Sequence, residues 1–119
     1  IQNNTDSSTL VPIEDNRLVL VQEAKDANGN WKPIEYFIHS DCGNSYSAFR
    51  IPPKSTYTIM IARYCGEYKT TLRVRISLNH KMYLSEEFEG YVNFNQFTTS
   101  SYILNKDYLH EYLFNKDAY

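Results

Sequence analysis

Apolar residues fall along this chain in short runs separated by turn-forming residues, the spacing of a β protein. Arg17 to Glu23 holds four consecutive aliphatic residues and reads as a strand buried on much of both faces. Asn28-Gly29 supplies two residues tolerant of positive φ, which predicts a two-residue type I′ hairpin turn with Trp31 to Ile38 as the returning strand. In that register Val21 faces Tyr36 and Val19 faces Ile38. Pro33 cannot donate to a ladder, so the strand starts after it or has an edge there. The clearest alternation runs from Thr71 to Leu78, where Leu72, Val74, Ile76 and Leu78 alternate with Thr71, Arg73, Arg75 and Ser77. One face is expected in the core and the other in water. A three-residue loop Asn79-His80-Lys81 sets Met82, Leu84 and Phe88 opposite Leu78, Ile76 and Leu72, and Arg73 opposite Glu87. Tyr46 to Ile51 and Tyr57 to Ile61 read as strands on either side of a turn or crossover at Pro52-Pro53-Lys54-Ser55, and Tyr91 to Phe94 as a further short strand.

About seven short strands with regular turn signals point to an all-β fold, an antiparallel β-sandwich for which immunoglobulin-like is the nearest label. The only Trp, Trp31, precedes both Cys42 and Cys65, whereas an antibody domain places Trp between its paired Cys, so a true antibody-type domain is excluded. Near the end, Asn105 can cap a helix at about 105–115 with Tyr108, Leu109, Tyr112 and Leu113 on one face and Lys106, His110 and Glu111 on the other. The sandwich is expected to span residues 10–97, with 98–119 as a C-terminal extension that docks on the sheet or on a partner. Residues 1–9 read as a flexible polar tail, because Gln2 to Thr9 holds no apolar residue to offset its ordering entropy. A start at Ile1 reads as a processed or trimmed chain, and such a tail fits export. Asn3-Asn4-Thr5 matches a glycosylation sequon, relevant only in a eukaryotic secretory host.

Composition narrows the functional classes. The chain has 119 residues, enough for one domain, and 12 Lys+Arg against 14 Asp+Glu leave no positive field for a nucleic-acid backbone. No apolar run reaches the roughly 18–20 residues that span a bilayer. The unusual feature is aromatic: 11 Tyr, 6 Phe and 1 Trp. Tyr46, Tyr64 and Tyr68 sit in turn-rich stretches where a rigid amphipathic ring suits a contact surface, although Tyr can equally fill the sandwich rim with its hydroxyl in water.

Reactive side chains concentrate between His39 and Tyr46. Cys42, with His39 and Asp41 nearby, has the composition of a thiol nucleophile, but no helix is expected after it to supply an oxyanion hole. Asp41 and Asn44 are read instead as loop residues satisfying backbone amides around Gly43. His39 and Cys42, with Cys65 and His80 or His110, give only half a zinc pattern. The Asp26 to Asn30 run begins like a calcium loop, but Trp31 and Phe37 stand where Gly and Glu are needed. No metal or cofactor is therefore expected. In an oxidising compartment Cys42 and Cys65 are a candidate disulfide; two reduced thiols are the competing state. Arg73 and Arg75, near Tyr83, could grip a carboxylate or stack on a ring, and pairing with Glu87 accounts for them more simply.

Taken together, Trp31-Lys32-Pro33-Ile34-Glu35-Tyr36, Cys42-Gly43-Asn44-Ser45-Tyr46, Tyr68-Lys69-Thr70-Thr71-Leu72-Arg73 and Glu87-Phe88-Glu89-Gly90 resemble a group of small uncharacterised bacterial proteins over about residues 17–97. The resemblance implies a β-rich stand-alone domain of bacterial, exported origin and carries over no functional residue. The expectation is a non-enzymatic binding module, periplasmic, cell-surface or extracellular, that recognises a protein or a surface glycan. Its candidate face is Trp31, Asp41, Cys42, Asn44, Tyr46, Tyr64 and Tyr68, with Arg73 and Arg75. The alternatives are a cytosolic inhibitor or immunity-type protein and, behind it, a thiol enzyme using Cys42. An exposed sheet edge, or the Tyr108 to Leu113 face, is a candidate homodimer surface.

Overall fold

The alternating stretch that ends at Leu78 begins at Tyr68, and this 11-residue strand is the centre of the larger of two antiparallel sheets. The computed structural model describes residues 1–37, 40, 42–78 and 81–98. The expected helix at 105–115 lies outside them, as do Ile38, His39, Asp41 and His80. Eight strands are described, in chain order β1 (Thr9–Glu14), β2 (Arg17–Leu18), β3 (Leu20–Lys25), β4 (Trp31–Pro33), β5 (Tyr46–Ile51), β6 (Tyr68–Leu78), β7 (Lys81–Leu84) and β8 (Phe88–Val92). The smaller sheet has the order β2-β1-β5. The larger has β4-β3-β6-β7, with β8 also paired to β6, so the described residues form an all-β fold of two antiparallel sheets and no barrel. No described helix is long and apolar enough to cross a membrane.

The run from Arg17 to Glu23 is not one strand. It breaks at Val19, where the chain leaves the smaller sheet as β2 and enters the larger as β3. The two-residue turn lies just before it: Asp15 and Asn16, at φ 48° and 60°, join Glu14 to Arg17, and short Asp and Asn side chains tolerate that conformation. At the second hairpin the expected type I′ turn is replaced by a three-residue loop. Asp26 N–H donates to Asn30 O and Gly29 N–H to Asp26 O, and of these turn residues only Gly29 (φ 78°) is left-handed. Asp26 Oδ1 fixes this shape by accepting from the amides of Asn28 and Asn30, both at 2.9 Å. One extra loop residue shifts the register, so Lys25 pairs with Trp31 and Glu23 with Pro33, and the expected Val21–Tyr36 facing is lost. Pro33 does end an edge strand, as its missing donor requires.

The third hairpin departs in the opposite sense. Leu78 pairs with Lys81 and Ile76 with Tyr83, leaving only residues 79 and 80 between the strands rather than three. Yet Leu72 still lies opposite Phe88, because one extra residue is taken up between β7 and β8 as a bulge. Ser85 closes the ladder there: its amide donates to Val74 O and its hydroxyl accepts from Val74 N–H at 2.8 Å.

Two further expectations are corrected. Tyr57 to Ile61 forms no strand, although the preceding Pro52 to Ser55 turn is present. Conversely Thr9–Glu14 is a strand that Pro12 and its polar flank conceal in the sequence. Its partner is β5, with Val11 opposite Phe49. The polar segment ahead of it is docked rather than a free tail. Asn3, 5% exposed, donates through Nδ2 to the carbonyls of Ser7, Ile51 and Pro52 and accepts at Oδ1 from Thr5. The sequon asparagine is thus committed to holding the chain. The Ile1 amino group donates to Tyr57 O at 2.8 Å, and Gln2 bridges Thr56.

Side chains directly opposite one another share a face of a sheet. On the inner face of the larger sheet Leu20, Ala24, Leu72, Val74, Ile76 and Leu78 line up. Ile76 and Leu78 meet Val11 and Ile51 of the smaller sheet, which joins the two layers. At the other end Ala24, Ile34, Leu72 and Val92 form a second cluster, capped by Tyr64, Tyr68 and Phe97. The outer face is not wet as expected: Arg75 and Ser77 are buried, and Val19 and Val21 pack under Phe37. Glu23, 2% exposed, receives Arg73 Nε at 2.7 Å and Arg75 Nη2 at 2.6 Å. The arginine partner is therefore Glu23 on β3, while Glu87 pairs with Lys25 at 3.5 Å.

Glu23→Ala removes the buried carboxylate that Arg73 and Arg75 share, and equilibrium denaturation is expected to show a loss of about 3–5 kcal/mol. Gly66→Ala is expected to cost about 3 kcal/mol or more, because its Cβ would lie 2.0 Å from the Val92 carbonyl carbon, an atom of backbone that cannot swing aside.

Candidate functional site

The residues expected to form one binding face are divided among three places. Trp31, Arg73 and Arg75 lie on the outer face of the larger sheet, where Lys25 Nζ and Arg73 Cζ stand 4.9 and 4.1 Å from the indole ring centre. Tyr64 and Tyr68 lie on the opposite, inner face. Tyr68 stacks on Phe94 at 4.8 Å and meets the edge of Phe97 at 6.1 Å, so it is a packing residue. Cys42, Asn44 and Tyr46 lie in and beside a single 3₁₀ turn, Gly43–Ser45, at the start of β5 in the smaller sheet. Asp41 is outside the described residues.

Serines, rather than Asn44, organise the Cys42 loop. Ser40 Oγ donates to Ser45 Oγ at 2.8 Å and accepts from Cys42 N–H, Ser40 N–H donates to Glu14 Oε2, and Tyr46 Oη donates to Ser40 O. Cys42 and Cys65 are both exposed and free, so the candidate disulfide is not formed. Among the described residues no group of three or more His, Cys, Asp or Glu side chains gathers in a metal-holding arrangement.

Tyr64 belongs to a polar network that sequence reasoning missed. Glu35 accepts from Gln22 N–H at 2.8 Å, Gln22 Nε2 at 2.7 Å and Tyr64 Oη at 2.7 Å; Gln22 Nε2 also donates to Ala62 O. Gln22 is 1% exposed, so these bonds satisfy a buried amide and clamp residues 62–64 onto the inner face. Loss of water around the Tyr64 hydroxyl, then its bond to the Glu35 carboxylate, push its pKa well above the ordinary tyrosine value.

What the fold does assemble is an apolar groove. The three strands of the smaller sheet cannot cover the larger one, and residues 57–61, expected to add a strand, run past without joining a ladder. A cavity of about 860 Å³ remains between the layers, floored by Val74, Ile76 and Leu78 and walled by Ile51, Ile59, Ile61, Tyr83 and Phe88. Ile61, Tyr83 and Phe88 stay substantially exposed along it, at 37%, 49% and 37%. A smaller cavity of about 460 Å³ shares Ile61 and Phe88 and extends toward Tyr64 and Leu72. The sequence signal was the run Thr58-Ile59-Met60-Ile61, read as an ordinary strand.

The chain matches no protein-family profile, no curated protein and no solved structure.

Tyr64→Phe is expected to lower stability by about 1–2 kcal/mol, as removing a hydrogen bond to a charged group does. A raised folded-state pKa means that the Tyr64 contribution is complete below about pH 10 and is lost as pH rises beyond it. Titration followed by phenolate absorbance should show a late-ionising component in the native protein that Tyr64→Phe lacks.

Proposed function

We propose that this chain is a non-enzymatic binding module, an immunoglobulin-like β-sandwich with an incomplete second layer, that holds an apolar segment of a protein partner in the groove between its sheets. The observation that carries this reading is the groove itself. An open apolar channel of this size costs solvation free energy in isolation and gains it on filling, and such patches mark interaction sites. A protein segment suits it better than a glycan. The floor is aliphatic, with polar residues Gln2 to Thr5 and Ser85 to Glu87 at the rim, and the Trp31 ring that could stack on a sugar already carries Lys25 and Arg73.

The resemblance to small bacterial proteins favours an exported or cell-envelope setting. The free, exposed state of Cys42 and Cys65 favours a second reading, a cytosolic inhibitor or immunity-type protein that blocks an enzyme by the same groove. Alkylation of both thiols without reductant, in protein taken from its native compartment, supports the second; a mass two hydrogens lower with neither thiol alkylated returns it to the first.

Ile61→Glu with Phe88→Glu changes two partly exposed groove walls and is expected to leave the thermal unfolding transition within a few degrees of wild type. The same protein should lose the partner that wild type co-purifies from its native source. A partner held equally by both proteins would place the contact surface elsewhere.

A further inference from the structure

We propose that the occupant of the groove is an extended strand of the partner, apolar at alternate positions, which pairs with the backbone edge presented by Ile59 and Ile61. This rests on the groove being the binding surface and adds the conformation and chemistry of what fills it.

The first support is a segment with the alternation of a strand and no ladder. Tyr57 packs on Phe49 with ring centres 4.4 Å apart, Ile59 and Ile61 line the groove, and Met60 between them is 98% exposed. A period of two is that of an extended chain. Among the described residues no backbone hydrogen bond reaches Thr58 to Ile61. A row of unpaired amides and carbonyls of this kind is a template for another strand.

The second is the direction in which those groups point. Tyr57 and Ile1 exchange both backbone bonds, each at 2.8 Å, and Asn3 N–H donates to Ser55 O at 2.9 Å, so Ile1 to Thr5 run antiparallel to Lys54 to Tyr57. Alternate residues of a strand direct their bonding groups to the same edge, so Ile59 and Ile61 face the edge that Ile1 occupies at Tyr57. Ile1, Ile59 and Ile61 all line the groove, which therefore opens beside that edge. Ile1 also shows how an occupant sits: its backbone pairs with Tyr57 while its side chain packs on the cluster of Val11, Ile51, Ile76 and Leu78. A partner residue opposite Ile59 repeats this arrangement, its backbone on the bare edge and its side chain toward the floor.

The third is chemistry. A helix satisfies its backbone internally and would leave the Ile59 and Ile61 groups bare, whereas an added strand pairs them and fills the groove with every second side chain. Glu86, exposed at the rim, forms no ion pair among the described residues. A Lys or Arg at the end of the strand complements it.

The test uses the full chain and a fluorescein-labelled peptide, Lys-Val-Thr-Val-Thr-Val-Lys. Fluorescence anisotropy should show saturable binding that Ile61→Glu with Phe88→Glu weakens several-fold. N-methylation of the Val amides, which face the edge, should abolish it, and N-methylation of the Thr amides should leave it. Amide hydrogen exchange in the complex should slow at Ile59 and Ile61 but not at Met60. Equal binding of the two N-methylated forms, or binding of an amphipathic helical Leu/Lys peptide in place of this one, overturns the strand and leaves the groove as the binding surface. No binding of the peptide up to its solubility limit overturns the strand. Binding indifferent to Ile61→Glu with Phe88→Glu overturns groove and strand together. Slow exchange at Ile59 and Ile61 before peptide is added, in protein that sediments as a dimer, assigns the edge to a second copy and overturns the partner strand.

Discussion

One buried carboxylate, Glu23, organises the larger sheet. It lies on β3 and holds two arginines of β6, the strand to which β7 and β8 are both attached. A charge so deeply buried is tolerable only with both partners in place, so the β3–β6 register cannot slip by a residue without stranding Glu23 or an arginine. The same pairing directs Leu72, Val74 and Ile76 to the opposite face, where the layers meet. Trp31 completes the outer face by receiving Lys25 and Arg73 on its ring, which ties the edge strand β4 to the same cluster of charge.

The inner face divides into two unequal halves. Near Leu72 it is closed by Tyr64, Tyr68 and Phe97, held in part by the Gln22–Glu35–Tyr64 bonds. Near Ile76 it meets the smaller sheet, yet that sheet is too narrow to reach β7, and the segment after Tyr57 does not fill the gap. The groove is thus a consequence of topology: a three-stranded layer lies on a broader one, and the chain between Tyr57 and Tyr68 joins no ladder.

Strand identity was readable where hydrophobic alternation was strong, as from Thr71 to Leu78, and all-β character followed from turn spacing. Register was not. Both predicted hairpins were displaced by one residue, in one case because Asp26 accepts from two loop amides and lengthens the turn. In the other the loop is shorter and Ser85 supports a compensating bulge. Each effect depends on a single polar side chain bonding to backbone, which period counting does not sense. The binding face failed for a related reason. Trp31, Tyr64 and Tyr68 share a composition but not a side of the sheet, and only register decides sides. Asn3 was likewise unreadable, since a polar residue in a polar stretch gives no sign that three carbonyls await its amide.

The 50-residue separation between Glu23 and Arg73 also bears on how the chain folds. During synthesis β3 emerges well before the strand that neutralises it, and the smaller sheet likewise joins β1 to a distant β5. These two pairings each close a long loop, so the folding rate should fall toward the slow range of non-local β proteins, milliseconds to seconds. In that interval the aliphatic stretches of β3 and β6 are exposed together, and that window, more than the finished fold, is where this chain is most vulnerable to aggregation.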